Sequence, residues 1–313
     1  MASVEYLNEE KVRRILTYEA LLPAVERALI DLSAGKIRQP VRSIVAVPEH
    51  HGLFGLMPAV DGDLMGVKLV AVYERNVDHP THQAVIQLLS AKTGEPLMGM
   101  DGRLITEMRT AAVSAVATRL LARPGAEVLA ILGSGVQARS HLTALRLVSS
   151  FKEIRVWSRT PEHTCQFANE CGLLAMESAE AAVRGADVVI SVSTVREPLV
   201  RGAWLAEGAL VCAVSAVGPD KRELDDAAMQ GYIVVESREA ALRESDDLIG
   251  SGQMIAAELG ELLAGKAAGT AKLPHSRPWT VFKSLGVGAT DLAAARVVWE
   301  GWKALVTGNE SLT

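Results

Sequence analysis

Apolar residues follow two different spacings along the chain. At the N-terminus they recur every three to four residues, which is typical of amphipathic helices, and interruptions near Tyr18 and Pro23 predict two helices. Short apolar runs bounded by Gly and Pro follow and predict an antiparallel meander of strands. These runs are Ser43–Val47, Leu53–Met57, Gly66–Val72 and Ala84–Leu89.

An Ala-rich helix is predicted from Thr106 to Leu121, and Arg123-Pro124-Gly125 ends it. Beyond Glu127, short and mainly apolar runs alternate with helical stretches. Strands that are buried on both faces and linked by helices are typical of a parallel sheet with right-handed crossovers, so the fold class is α/β with a doubly wound sheet. The runs are Val128–Leu132, Ile154–Trp157, Val188–Val192, Leu210–Val214 and Ile233–Val235.

A last amphipathic run, from Leu292 to Leu305, carries Trp299 and Trp302, and no strand follows it. A helix with an apolar face must bury that face against another element. We therefore predict that this helix returns to pack on the first domain.

Composition and charge exclude several classes of protein. The 313 residues are 49% hydrophobic and 22% charged, which is typical of globular chains and unlike disordered, collagen-like or coiled-coil ones. The net charge is −5 and basic residues do not cluster, so no nucleic-acid partner is expected. No uncharged stretch approaches the roughly 18 residues of a membrane helix, so no membrane partner is expected. The charged N-terminus and only 3 cysteines favour a cytoplasmic location.

A glycine motif follows the first predicted parallel strand: Gly133-Ser134-Gly135-Val136-Gln137-Ala138. The first glycine permits a tight turn, and the second lets the backbone approach a pyrophosphate. The amides at the start of the following helix bind anions. With a strand before it and a helix after it, the motif predicts dinucleotide binding rather than a plain turn.

The end of the second parallel strand selects the dinucleotide, because an acidic residue there accepts the ribose hydroxyl of NAD. This chain has Ser158-Arg159-Thr160 at that point. A guanidinium beside two hydroxyls suits a 2′-phosphate, so NADPH is preferred to NADH. The alternative is that Arg159 is a solvated arginine at a strand end.

Three cations of the first domain lie in apolar surroundings: Arg42, Lys68 and Arg109. A buried lysine is costly unless an anion compensates it, and a small carboxylate substrate is one such anion. For each residue alone, a surface cation or an internal salt bridge is the alternative. No metal site is expected at His79 and His82, and the sequence has no G-x-S-x-G element of the kind that marks a hydrolase.

Taken together, these stretches resemble the ornithine cyclodeaminase/mu-crystallin family, and within it the mu-crystallin branch of ketimine reductases. The matching segments are spread in order over nearly the whole chain. They are 39–42, 100–102, 109–115, 131–138, 222–226, 239–242 and 282–286.

The resemblance implies a homodimer with two domains. A mixed α+β domain for substrate binding and dimerisation would comprise residues 1–124 and 287–313. A Rossmann-type NADP-binding domain, residues 125–286, would be inserted in it and face it across a cleft.

The resemblance also assigns the site. Arg42, Lys68 and Arg109 would hold the substrate carboxylate, Arg109 would also lie near the cofactor, and Glu244 would border the substrate. The remaining residues would line NADPH, along with the glycines of the motif. They are Thr81, His82, Gly133, Ser134, Gly135, Val136, Gln137, Ser158, Arg159, Thr160, His163, Ser193, Thr194, Val214, Ala216 and Ser284.

The expected reaction is NADPH-dependent reduction of a cyclic ketimine carboxylate, with hydride transfer to the imine carbon. Glu244 or a water would supply the proton. Ornithine cyclodeamination or alanine dehydrogenation with NAD is the alternative. It is disfavoured by Arg159 and by Val217, which stands where those enzymes carry an Asp. The nearby Asp220 is expected to cap a helix instead. A third hypothesis, also implied by the resemblance, is that the protein binds thyroid hormone or serves as a lens crystallin and uses the same site.

Overall fold

The computed structural model describes residues 4–193, 195, 197–214, 221–267 and 278–310. The chain divides into two compact units: unit 1 is Met1–Arg109 with Val287–Thr313, and unit 2 is Thr110–Gly286. The domain limits expected at residues 124 and 286 stay predictions. Among the described residues, no helix has the length and apolarity that crossing a membrane would require.

Unit 1 contains a six-stranded sheet in the order β1-β6-β5-β4-β3-β2. Strands β2 to β6 pair antiparallel in sequence order, which confirms the meander, and β1 pairs parallel to β6. The pattern missed β1, which has three residues, and β6, which begins with Pro96 and contains Gly99. The strands are β1 Glu5–Leu7, β2 Ser43–Val47, β3 Gly52–Asp61, β4 Leu64–Tyr73, β5 His82–Ser90 and β6 Pro96–Asp101.

Two helices precede β2, as predicted: α1 Glu9–Ile15 and α2 Tyr18–Ser33. The break lies at Thr17, whose side chain caps α2. The predicted interruption at Pro23 is wrong, because α2 continues through it. The cost of a proline inside a helix, about 3 kcal/mol, is offset by the burial of Leu21, Leu22 and Val25 on the apolar face.

Helix α3 spans Arg103–Leu121, and α10 spans Gly288–Glu310. Helix α10 packs against α2, β3 and β4, which confirms that the last helix returns to the first part of the chain. Helix α10 covers one face of the sheet, where Met57, Lys68 and Ile86 are buried.

The other face of this sheet carries an apolar patch on strands β2 to β5. Val45 and Phe54 are register partners, as are Leu56, Leu69 and Val85 across three strands. Alternation along β3 places Phe54 and Leu56 on the same side, so these five residues form one surface, which we name the open face. Val45, Phe54 and Val85 are 54%, 37% and 41% exposed.

Unit 2 contains an eight-stranded sheet in the order β13-β12-β14-β11-β10-β7-β8-β9, with all pairs parallel. The strand order reverses between β7 and β10, as in doubly wound sheets that bind dinucleotides at this point. The strands are β7 Val128–Leu132, β8 Glu153–Trp157, β9 Leu174–Ala175, β10 Val188–Ser191, β11 Ala209–Ala213, β12 Tyr232–Val235, β13 Ala257–Glu258 and β14 Trp279–Lys283.

The pattern missed β9 and β13, which have two residues each, and β14, which inserts between β11 and β12. Helices lie between the strands, and residues such as Val211 and Val281 fill the core beneath them. The helices are α4 Val136–Val148, α5 Pro161–Cys171, α6 Ala179–Val183, α7 Arg238–Glu244, α8 Asp246–Ser251 and α9 Leu259–Ala267.

Candidate active site

The glycine motif forms the turn between β7 and α4. Gly133 has a φ of 141°, and a Cβ there would lie 2.9 Å from the Val192 side chain, so the position requires glycine. Gly135 caps α4 without a side-chain hydrogen bond, and a Cβ on it would meet no described atom within 4 Å. An uncapped helix N-terminus beside open space fits the pyrophosphate of a dinucleotide.

A chain of hydroxyl groups joins the ends of β7 and β8. Ser134 Oγ donates to Ser158 Oγ at 3.0 Å, and Ser158 Oγ donates to the Thr160 carbonyl at 3.1 Å. Arg159 and His163 beside them are exposed. Hydroxyls and a guanidinium at this strand end fit a phosphate better than a bare ribose diol.

The next strands end at the same edge of the sheet. Ser193 Oγ donates to the Leu132 carbonyl at 3.0 Å, and the Ser284 amide donates to the Ala213 carbonyl at 2.9 Å. In the described part of the chain, the buried Ser284 Oγ has no hydrogen-bond partner. The structure thus brings the glycine motif, 158–160, Ser193, Val214 and Ser284 to one edge of one sheet.

Other expected residues belong to unit 1, lie on another element of unit 2 or fall outside the described residues. Thr81 and His82 belong to unit 1, where Thr81 Oγ1 lies 3.1 Å from His82 Nδ1. Glu244 ends α7 in unit 2 and is half-buried. Their roles stay predictions. Four positions lie outside the described residues: Thr194, Ala216, Val217 and Asp220.

An ion cluster that the pattern did not predict lies in unit 2. The Lys283 Nζ is 2.8 Å from Glu223 Oε2 and 2.9 Å from Asp247 Oδ2, and all three side chains are fully buried. Ser191 Oγ donates to the other oxygen of Glu223 at 2.7 Å. Burial alone would lower the pKa of Lys283, but the two carboxylates outweigh it and raise the pKa. Lys283 therefore stays charged and fixes the end of β14.

The predicted cations of unit 1 meet at one carboxylate. Lys68 on β4 is 2% exposed, and its Nζ lies 2.9 and 2.8 Å from the two Asp291 oxygens. Arg109 on α3 is 5% exposed, and its Nε lies 2.9 Å from Asp291 Oδ1. Arg42 is close enough for its charge to act on both Lys68 and Asp291.

Burial lowers the pKa of Lys68 to about 8, with Asp291 opposing the shift and the charges of Arg109 and Arg42 adding to it. Burial would raise the pKa of Asp291, but Arg109 and Lys68 outweigh it and lower the pKa. Asp291 is therefore ionised at neutral pH.

An internal salt bridge is the alternative to substrate binding for Lys68 and Arg109. The bridge to Asp291 is present, but one carboxylate does not neutralise both cations. Lys68 and Arg109, both buried, share the single carboxylate of Asp291, so this group of three side chains keeps an excess positive charge. Arg109 Nη1 is buried and, among the described residues, has no hydrogen-bond partner. A buried cationic group with an unused donor fits a small anion such as a substrate carboxylate. We call Arg42, Lys68, Arg109 and Asp291 the cationic cluster.

Sequence reasoning missed Asp291, although a signal was available. It is an isolated carboxylate in the first turn of a helix that is otherwise apolar there, Gly288-Ala289-Thr290-Asp291-Leu292. The cost of burying an unpaired charge, which singled out Lys68, applies equally to this residue.

This chain is similar to known proteins over nearly its whole length. The sequence profile described as "Ornithine cyclodeaminase/mu-crystallin family" matches residues 4–305. The chain belongs to this family. The mouse (Mus musculus) relative named ketimine reductase mu-crystallin is 46% identical over 308 residues, 95% of this chain and 97% of the mouse protein.

Solved structures of the family share the fold of the whole chain. The Thermococcus litoralis Delta(1)-pyrroline-2-carboxylate reductase, in complex with NADH and L-proline, has a TM-score of 0.89 at 35% identity and covers 97% of this chain and 98% of its own. An archaeal alanine dehydrogenase dimer with bound NAD has a TM-score of 0.89 at 30% identity, with 97% of both chains covered. The predicted family and α/β fold class are confirmed.

Proposed function

We propose that this family member is an NADPH-dependent ketimine reductase, which reduces cyclic ketimine carboxylates to cyclic imino acids by hydride transfer to the imine carbon. The observation that carries the proposal is the cationic cluster, whose excess positive charge suits a carboxylate adjacent to the imine. The names of the mouse and Thermococcus relatives support the same substrate class.

Each group of residues has a separate task in this reaction. When bound, NADPH supplies the hydride. The uncapped start of α4 and Gly135 receive the pyrophosphate, and Ser134, Ser158 and Arg159 hold the 2′-phosphate. Arg42, Lys68 and Arg109 hold the substrate carboxylate, which orients the imine carbon for attack. A protonated imine is the better electrophile, and Glu244 or a water supplies its proton.

The test is the decrease in NADPH absorbance when the protein is mixed with cyclic ketimine carboxylates of five- and six-membered rings. We expect turnover with either ring. L-ornithine with NAD, and alanine with NAD, are the parallel assays for the alternative activities. Turnover only in those assays would refute the proposal.

A thyroid hormone also carries a carboxylate, and hormone binding at the cationic cluster is the second function to test. We expect an iodothyronine to compete with the ketimine for this cluster, so adding it should raise the apparent KM. Hormone binding without any ketimine turnover would leave only the binding role. The cytoplasmic location stays a prediction.

We further propose a homodimer that is formed through the open face. This apolar surface is exposed in the single chain. Exposed apolar patches of this kind mark protein–protein interfaces. The archaeal alanine dehydrogenase is described as a dimer, which supports the proposal.

Replacing Phe54 by Asp should weaken this dimer at least about tenfold, because a charge would be buried at the centre of the interface. Light scattering after size-exclusion chromatography measures the mass. Val77→Asp is the matched control, since Val77 is 93% exposed and lies outside the open face. A monomeric unmodified protein, or a Phe54→Asp variant that dimerises normally, would contradict the proposal.

A further inference from the structure

Building on the proposed function, we propose that Asp291 is a positioning residue of the ketimine site. Its carboxylate anchors the Lys68 ammonium and the Arg109 guanidinium, and it leaves their remaining donors for the substrate carboxylate. Asp291 itself would not touch the substrate.

The contacts divide the donors of the two cations. Both oxygens of Asp291 lie within 2.9 Å of Lys68 Nζ, and one of them lies 2.9 Å from Arg109 Nε. A lysine has three donors and an arginine five, so each cation keeps donors that Asp291 does not engage. Arg109 Nη1 is one of these, buried and without a partner in the described part of the chain.

The surroundings of Lys68 make its charge depend on Asp291. Its register partners on β3 and β5, Met57 and Ile86, are buried and apolar. The charged groups that act on its ammonium are Asp291 from α10, Arg109 from α3 and Arg42 from the segment before β2, and two of these are cations. Removing the single carboxylate would therefore favour the neutral amine, which binds a carboxylate weakly.

The fold fixes the carboxylate in place. Asp291 lies in the first turn of a 23-residue helix, where the helix dipole favours a negative charge. At the start of α10, a Cβ on Gly288 would lie 2.9 Å from the Pro58 carbonyl oxygen, so glycine lets the helix begin directly against β3. Gln39 Oε1 accepts from the Ala289 amide at 2.7 Å, which ties the segment carrying Arg42 to the same helix end.

The test compares Asp291→Asn, which removes the charge, with Asp291→Glu, which keeps the charge and displaces it. Two readouts are followed against pH: calorimetric binding of L-proline as a ring carboxylate, and kcat/KM for the ketimine. The matched control is Asp61→Asn, which removes a carboxylate 2.8 Å from Arg296 of the same helix but away from the cationic cluster. Thermal unfolding and NADPH affinity report whether each variant is folded.

In the unmodified protein, binding and kcat/KM should fall as the pH rises through about 8, because Lys68 loses its proton there. In Asp291→Asn that decline should move to lower pH by at least about one unit, and kcat/KM at neutral pH should fall at least about tenfold. In Asp291→Glu, binding and kcat/KM should decline at the same pH as in the unmodified protein. The value of kcat/KM should nevertheless fall about tenfold, because the longer side chain displaces the donors of Lys68 and Arg109. Asp61→Asn should match the unmodified protein.

The outcomes separate this inference from the proposed function. If Asp291→Asn is folded and shows an unmoved pH profile with normal kcat/KM, the positioning role is wrong although the reductase stands. The unmodified protein could instead reduce no ketimine, while the pH at which L-proline binding declines still moves lower in Asp291→Asn as predicted. In that case the proposed reaction is wrong, and the role of Asp291 in positioning the cations for a carboxylate stands. If Asp291→Asn does not fold, an Asp291→Glu variant with unchanged kcat/KM overturns the inference.

Discussion

Replacing Lys68 by Met will lower kcat/KM for the ketimine at least about thirtyfold, equivalent to about 2 kcal/mol of lost transition-state stabilisation. The Met side chain keeps the length of the stem and removes the ammonium, which is 2% exposed and therefore poorly screened by water. Asp291 keeps Arg109 as a partner, so the fold should tolerate the change. Steady-state kinetics and NADPH titration measure the two effects.

NADPH affinity should be unchanged in this variant, because the expected phosphate-binding residues lie in unit 2. Lys92→Met is the control, since Lys92 belongs to the same unit and pairs with Asp63 at an exposed site. A Lys68→Met variant with normal turnover would make Lys68 a structural cation and leave the carboxylate to Arg42 and Arg109.

The second large effect concerns the cofactor: Arg159→Ala should weaken NADPH binding about ten- to a hundredfold and leave NADH binding nearly unchanged. A charge-assisted hydrogen bond to the 2′-phosphate is worth about 1.5–3 kcal/mol, and NADH has no such phosphate. The affinities are measured by fluorescence titration of each nucleotide.

Arg184→Ala is the matched control, because it removes an exposed arginine of the same unit that pairs with Glu180. If the unmodified protein binds NADPH and NADH equally, the preference for NADPH is wrong. That result would align this chain with the Thermococcus and archaeal neighbours, whose structures hold NADH and NAD.

Periodicity predicted the elements whose burial leaves a local mark. Strands β7, β10, β11 and β12 of unit 2 are almost entirely buried, and each contains an unbroken apolar run. Strand β14 was missed because Thr280 and Lys283 interrupt its apolar residues, and what makes it a central strand is its pairing with β11 and β12. That pairing is a tertiary contact and leaves no periodic trace.

The candidate site shows the same division. Lys68 and Arg109 could be singled out because a cation in an apolar run is locally anomalous. Their partner Asp291 lies 223 positions from Lys68, and no local rule connects the two. The position of Arg42 near them depends on Gln39 reaching the start of α10, a contact across 250 positions.

The place of α10 in the chain determines when unit 1 can be completed during synthesis. The ribosome makes the sheet of unit 1 first, then all of unit 2, and only afterwards the helix that covers β3 and β4. A nascent chain that has not yet reached residue 288 holds every strand of unit 2 but lacks both the cover of the first sheet and the carboxylate for Lys68 and Arg109. Unit 2 can thus fold as soon as it emerges. The N-terminal sheet must wait for the last helix, and until then the face that carries Met57 and Ile86 is uncovered and open to chaperones.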